Sequence, residues 1–399
     1  MEQEPRNPAE GSFTEVFAAF LKLGVSSFGG PIAHLGYFRA EFVERRRWLD
    51  ERAYADIVAL SQFLPGPASS QTGFAIGLTR AGYAGGAAAW LGFTLPSALL
   101  MVAFALGLHG LADTAIGGGL LHGLKLVAVA IVAQAVLGMA RSLCPDRQRA
   151  AVAVLALALV VAIPGSAGQV VAILAGGLVG LLLCKGTAAE APSVIPPVSR
   201  PAGLVCLAAY FVLLAFAFVP AGRTAVGLFD AFYRSGALVF GGGHVVLPLL
   251  RDAVVAPGWT SDNIFLAGYG MAQAVPGPLF TFAAYLGAIA GVPPGGVAGV
   301  AITLAGIFLP GLLAMMGALP FWHALRSRPR AQAVMTGINA AVVGLLGAAL
   351  YSPVWVSAVR GPADFAVAAA AFVLLVAWRA PPLLAVVFCA VAGVALSAG

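Results

Sequence analysis

Residues 202–220, AGLVCLAAYFVLLAFAFVP, contain no charged side chain. A helix of that length crosses most of the roughly 30 Å hydrocarbon core of a bilayer, and comparable runs recur along the chain. Inside hydrocarbon no water is present to bond the backbone, so only helices and closed barrels span it. The runs are continuously apolar and do not alternate, which favours helices. Only 10% of the 399 residues are charged and the mean hydropathy is +0.95, against about 25% charged in a soluble domain. The expected fold is therefore all-α and polytopic in a membrane. The net charge of +6 comes from basic loops between apolar runs, and no nucleic-acid surface is expected.

The chain carries an internal repeat. Aligning Phe28-Gly29-Gly30 with Phe240-Gly241-Gly242 places Lys22 on Arg234 and Arg39 on Arg251. With one residue of slippage Trp48 falls on Trp259, Gln62 on Gln273, and Pro65-Gly66-Pro67 on Pro276-Gly277-Pro278. GFTLP (92–96) then answers GIFLP (306–310), and HGLKLVAVA (122–130) answers TGINAAVVG (336–344). We divide the chain into a polar N-terminus (1–12), a first repeat (13–187), a linker with an unpaired span (188–224) and a second repeat (225–399). The opening MEQEPRNPAEGS has no basic n-region, so no signal peptide is expected.

Full spans are expected at 84–109, 116–141, 149–163, 167–184, 202–220, 294–319, 330–350, 363–378 and 381–397. Basic residues alternate in opposite phase in the two repeats. HGLADTAI has no Lys or Arg where HALRSRPR has three Arg, and RSLCPDRQR is rich where YSPVWVSAVRGP has Arg360 alone. Cytoplasmic loops carry the excess of Lys and Arg. That phase predicts an inverted-topology repeat with nine full spans, four re-entrant hairpins, the N-terminus cytoplasmic and the C-terminus outside. If 13–30 spanned fully, the repeats would run parallel, against the charge pattern.

The hairpins carry the candidate site. Breaks at matching positions of two inverted halves point to binding near the midplane, because freed backbone groups are tolerated only where protein or a cavity surrounds them. Pro65 and Pro276 end incoming helices, Gly66 and Gly277 allow close backbone approach, and Pro67 and Pro278 suit a first helical turn. A helix N-terminus there offers free N–H groups and a positive dipole end, suited to an anion. Phe28, Gly29, Gly30 and Phe240, Gly241, Gly242 are expected to add exposed amides. The hydroxyls of Ser69, Ser70, Thr72 and Thr281 and the amides of Gln62 and Gln273 complete a set suited to a tetrahedral oxyanion.

Lys22 and Arg234 lie six residues before each FGG in apolar helices, where ionisable groups are costly and suggest function. Snorkelling to the interface is the competing reading, and Asp230 stands one turn from Arg234. Lys125 is a third candidate cation, although its counterpart Asn339 is neutral. His244 is a candidate for proton coupling. Arg39 and Arg251 are expected to be interface anchors. Cys144, Cys184, Cys206 and Cys389 are dispersed, and the histidines have no ligand spacing, so no metal, cofactor or disulfide framework is expected.

The stretches KLGVSSFGGPIAHLGYFRAEFVERRRWLDE, LSQFLPGPASSQT, GFTLPS, FGGGHVVLPLL, AQAVPGPLFTFAAYLG and GIFLPG resemble the chromate ion transporter family, in its long two-repeat form. The resemblance implies export of chromate across a bacterial inner membrane and resistance to it, with the FGG, PGP and Lys22 positions on the transport pathway. FGGG in place of FGGP, and Arg234 in place of Lys, make the two faces of the site non-equivalent. GxxxxGK[ST] is absent, so a secondary transporter is expected, not an ATP-driven one. Sulfate or another oxyanion is the alternative substrate, with chromate as its mimic. Chromate, sulfate, lipid and a second copy of the chain are the candidate partners. An enzyme acting on phosphorylated lipid would need an intramembrane acid or His pair, and none stands at matched positions.

Overall fold

The computed structural model describes residues 11–111, 114–163, 165–184 and 198–398. Residues 1–10 of the expected N-terminal segment and 188–197 of the expected linker lie outside the described residues. Among the described residues all regular structure is helical.

In the first half α1 (Phe13–Ser26) is capped by Ser12, which accepts from the Glu15 amide. After the FGG break α2 (Gly30–Arg39) passes into a π-turn, Ala40–Arg45. Then α3 (Glu51–Phe63), capped by Asp50, runs to the Pro-Gly-Pro. Beyond it α4 (Ala68–Leu111) is two arms, because Ala81 (φ −143°, ψ 31°) and Gly82 (φ 62°, ψ −157°) fold it back on itself. Next come α5 (Ala115–Leu143), α6 (Arg147–Ala162) and α7 (Ser166–Leu183). The unpaired span is α8 (Arg200–Phe216).

The second half repeats the order with α9 (Ala225–Ala237), α10 (Val246–Val254), α11 (Asp262–Ala272), α12 (Phe282–Ile289) and α13 (Gly296–Ala318). A short α14 (Trp322–Arg326) leads to α15 (Pro329–Ala349), and α16 (Val356–Ala358), α17 (Pro362–Val376) and α18 (Pro382–Ala398) follow. The expected span 330–350 matches α15, and a π-turn, Leu350–Trp355, follows it. Ser352 inside that turn is extended (φ −128°, ψ 118°), as sterics require of a residue before proline.

Four helical stretches are long and apolar enough to cross a membrane by length and composition: Ala68–Gly107, Ile116–Leu143, Gly296–Phe321 and Pro329–Ala358. The other expected spans form helices of 15–18 residues, about 23–27 Å long at 1.5 Å per residue. They are short for the full core, and the bilayer must thin or the helix ends extend to cover the difference. Leu99, Leu106, Val154, Leu174, Leu182, Val205, Phe211 and Trp378 are exposed, an apolar surface suited to lipid.

Equivalent contacts build both halves. Gly77 lies against the Gly85 carbonyl across the fold in α4, and Gly287 against the Gly299 carbonyl between α12 and α13. Arg39 Nε donates to Glu51 at 2.8 Å, and Arg251 Nε to Asp262 at 2.7 Å. Each of these arginines thus ties the helix that follows an FGG break to the start of the helix leading into Pro-Gly-Pro. The later helices exchange partners. The first half's α5 packs on α17 and α18, while α15 packs on α6 and α7.

Candidate functional site

Each Pro-Gly-Pro meets the FGG of the other half. The Gly66 amide donates to the Val239 carbonyl at 2.7 Å, and the Gly277 amide donates to the Ser27 carbonyl at 2.9 Å. Val239 and Ser27 are the residues immediately before the two FGG stretches. The two crossings touch, since Gly243 faces Pro31, Leu279 and Phe280. All four helix breaks therefore converge on one junction.

Its backbone explains the glycines. Gly66 and Gly277 hold φ of 123° and 94°, a region open to glycine and strained for other residues. A Cβ on Gly66 would stand 2.8 Å from Gly311 Cα, and one on Gly277 would stand 2.9 Å from Ser97 Oγ. Gly311 and Ser97 each follow the proline of an LP pair, Leu309-Pro310 and Leu95-Pro96. Gly29, Gly30, Gly241 and Gly242 also have positive φ.

Polar, uncharged groups stand among the apolar side chains of the junction. The first N–H groups of a helix have no intrahelical partner, and α2 and the first arm of α4 begin here, as do the 3-10 turns that precede α10 and α12. Ser27, Ser70 and Gln71 are buried, and Ser27 Oγ, Ser70 Oγ, Gln71 Oε1 and Gln273 Nε2 have no hydrogen-bond partner. Buried polar atoms are normally paired, so a group of unpaired ones among four helix breaks is a candidate site for a polar guest. Gln71 Nε2 donates to the carbonyls of Pro65 and Gly311, 2.9 Å each, which clamps the first Pro-Gly-Pro to α13. Sequence reasoning passed over Gln71 and Ser27. Both stand within quoted motifs, but neither has its residue type repeated in the other half.

The other sequence-predicted residues divide. Pro67, Pro276 and Pro278 are buried at the crossings, and Pro65, Phe28 and Phe240 are half-buried. Ser69 is buried, Thr72 Oγ1 pairs with Ser61 Oγ at 2.7 Å, and Thr281 Oγ1 donates to the Pro278 carbonyl. Gln62 is exposed, whereas its counterpart Gln273 is half-buried. His244 Nδ1 lies 2.8 Å from the Tyr269 hydroxyl.

The three candidate cations bond outside the junction. The Lys22 side chain is 58% exposed, with Nζ 3.9 Å from Glu41. Burial raises the Glu41 carboxyl, but hydrogen bonds from Arg46 and Arg45 outweigh it and hold the group below the usual carboxylate range. Arg234 Nη1 donates to the Ala217 carbonyl at the end of α8, and its guanidinium lies over the Phe218 ring. Lys125 is buried and donates to Asn263 Oδ1 at 3.0 Å and to the Ser357 carbonyl at 3.2 Å. Lys125 lines a separate cavity with His122, Arg360 and Asp364. There His122 Nε2 lies 2.7 Å from Asp364 Oδ1, a pairing that sequence alone does not reveal across so long a separation. No cluster of metal ligands forms among the described residues.

Residues 14–181 and 226–394 each match the family described as Chromate transporter. The chain is 32% identical over 381 residues to the chromate transport protein of Pseudomonas aeruginosa, covering 93% of this chain and 89% of that one. It is 29% identical to a probable chromate transport protein of Synechococcus elongatus, covering 85% and 84%. It is 27% identical to the chromate transport protein of Cupriavidus metallidurans, covering 83% and 80%.

Proposed function

The chain belongs to the chromate transporter family, and from that premise we propose that it is a secondary transporter exporting chromate across the bacterial inner membrane. The N-terminus is cytoplasmic, the two repeats run in opposite senses, and export confers resistance. One observation carries the reading: the reciprocal crossing in which Gly66 bonds Val239 and Gly277 bonds Ser27. Those paired breaks gather helix N-termini and unpaired polar groups where a tetrahedral dianion finds donors on several sides.

A dianion moving outward runs down an inside-negative potential, which contributes about 2.3 kcal/mol per charge per 100 mV. No nucleotide hydrolysis is required. Backbone amides, the Ser27 and Ser70 hydroxyls and the Gln273 carboxamide N–H supply hydrogen bonds without a counter-charge, so the ion is held and then released. Lys22 and Arg234 flank the breaks and raise the local concentration of anions at the two approaches.

The test is flux of labelled chromate in proteoliposomes for the wild type, Gly66→Ala and Gly277→Ala. Saturable flux that both substitutions abolish supports the site, and undiminished flux in both refutes it. Sulfate as the physiological cargo is a second reading, favoured by the donor set itself. Nothing in amides and hydroxyls distinguishes one tetrahedral dianion from another, and competition by sulfate in the same assay decides it.

A further inference from the structure

The cavity around Lys125 is separate from the four-break junction and has a volume of about 690 Å³. His122, Lys125, Asn263, Arg360, Asp364 and Ser397 are among its lining residues, from α5, α11, the turn before α17, α17 itself and α18. It opens at the end of the bundle where α5 and α17 begin and α18 finishes. That end carries Arg360, with Arg251 and Arg223 beside the start of α11, fewer basic residues than the opposite end. Arg141, Arg147, Arg149, Arg326, Arg328 and Arg330 stand at the ends of α5, α6, α14 and α15 away from it. By the excess of Lys and Arg in cytoplasmic loops, the cavity faces outward.

Its charges do not cancel. Asp364 is already engaged, Oδ1 with His122 and Oδ2 accepting from the Arg360 amide at 2.9 Å. Arg360 makes no ion pair with a described residue through its guanidinium. Lys125 is 2% exposed, and its two hydrogen-bond partners are a carboxamide and a carbonyl, not a carboxylate. An ammonium has three donors, so one remains. A buried cation without a counter-ion is costly, and two cations facing one cavity make it a place for an anion.

The cavity also lies in line with the junction. Lys125 is ten residues into α5, about 15 Å from its start, close to half the depth of a ~30 Å core. Asn263, which accepts from Lys125, stands at the start of α11. The far end of α11 leads into Pro276-Gly277-Pro278. Between them Gly270 packs directly on the Leu124 carbonyl.

We propose that this cavity is a second oxyanion site, an outward-facing station that a small dianion occupies between Lys125 and Arg360 after leaving the junction. The inference rests on the transport reading above and adds to it the last binding step before release. His122 and the Arg360 amide engage both Asp364 oxygens, and the Leu124–Gly270 contact stands between the two sites.

Equilibrium binding of labelled chromate and of labelled sulfate to the purified full-length protein tests it, alongside flux in vesicles of defined orientation. The wild type is expected to bind close to two ions. Lys125→Met with Arg360→Gln is expected to bind one, and to raise the half-saturating concentration at least tenfold for ions entering from the C-terminal face only. Gly277→Ala should keep the cavity ion and lose flux. Arg360→Gln alone, at the cavity mouth, serves if the double variant fails to fold, and Arg360→Lys should restore binding. A wild type that transports but binds one ion, or a folded double variant that still binds two, overturns the second site and leaves the transport reading standing. A folded wild type that neither binds nor moves either ion overturns both.

Discussion

Gly66 hydrogen-bonds Val239 across the two halves, N···O 2.7 Å, and the equivalent Gly277 hydrogen-bonds Ser27 at 2.9 Å. Neither half can therefore shift its Pro-Gly-Pro without disturbing the FGG of the other. On the transport reading proposed above, breaks coupled in this way would carry movement from one half to the other.

Gly66→Ala and Gly277→Ala should differ in how they are rescued. Both impose a positive φ on a residue with a Cβ, costing about 1–3 kcal/mol. At Gly66 the clash is with the Gly311 backbone, whereas at Gly277 the first atom met is the Ser97 hydroxyl. Adding Ser97→Gly to Gly277→Ala should recover part of the flux, and no equivalent rescue exists at Gly66, whose neighbour is already glycine.

Gln71→Leu removes two hydrogen bonds to backbone carbonyls and should lower stability by about 1–3 kcal/mol, visible as a lower melting temperature. Gln71→Glu places a negative charge at the junction. Its expected result is loss of chromate binding that exceeds the loss of stability, measured by comparing affinity and melting in the same preparation.

Lys22→Ala with Arg234→Ala should raise the half-saturating chromate concentration about tenfold while leaving the maximal rate nearly unchanged. The effect should shrink as salt is raised. A fall in maximal rate with unaltered half-saturation would instead place these cations in contact with the ion.

The hairpin holding Glu41 should weaken in acid. The carboxyl titrates below its usual range when folded, so its contribution is present above the unfolded value of about 4.3 and is lost as pH falls through the lower folded value. Melting against pH should show that loss, and Glu41→Gln should remove it while lowering stability at neutral pH.

The two halves are not in the same arrangement. Leu124 of α5 packs on Gly270 of α11, while the counterpart α15 packs on α10. If the halves exchange arrangements, Ile338 of α15 should meet Ala59 of α3, the residues equivalent to Leu124 and Gly270. In a cysteine-free background, Ala59→Cys with Ile338→Cys should crosslink during turnover and not in the resting protein. A crosslink equally fast in both conditions would refute the exchange.

The repeat, the four breaks and the membrane class were legible because each is written in local residues: paired FGG and PGP stretches, long apolar runs, and loops of alternating charge. The partners were not. Gln71 meets Gly311 at a separation of 240 residues and His122 meets Asp364 at 242, and no periodicity within a helix announces such pairs. The same holds for Lys125, whose placement beside Asn263 depends on how α5 leans on α11. The expected span 202–220 runs past the end of α8 at Phe216 because apolar composition continues into the turn that follows. The expected span 330–350 agrees with α15, and the extended Ser352 before Pro353 breaks the backbone just beyond it.

The exchange of late helices has a consequence for biosynthesis. Gly123 of α5 is shaped to the Cys389 backbone of α18, and Gly337 of α15 to that of Gly176 in α7. A nascent chain released after α7 would leave the groove on α5 facing acyl chains, with its mate still unsynthesised. Translation must deliver the last two helices before the first half has its complete wall, so the protein matures as a single clasp, closed from its C-terminal end.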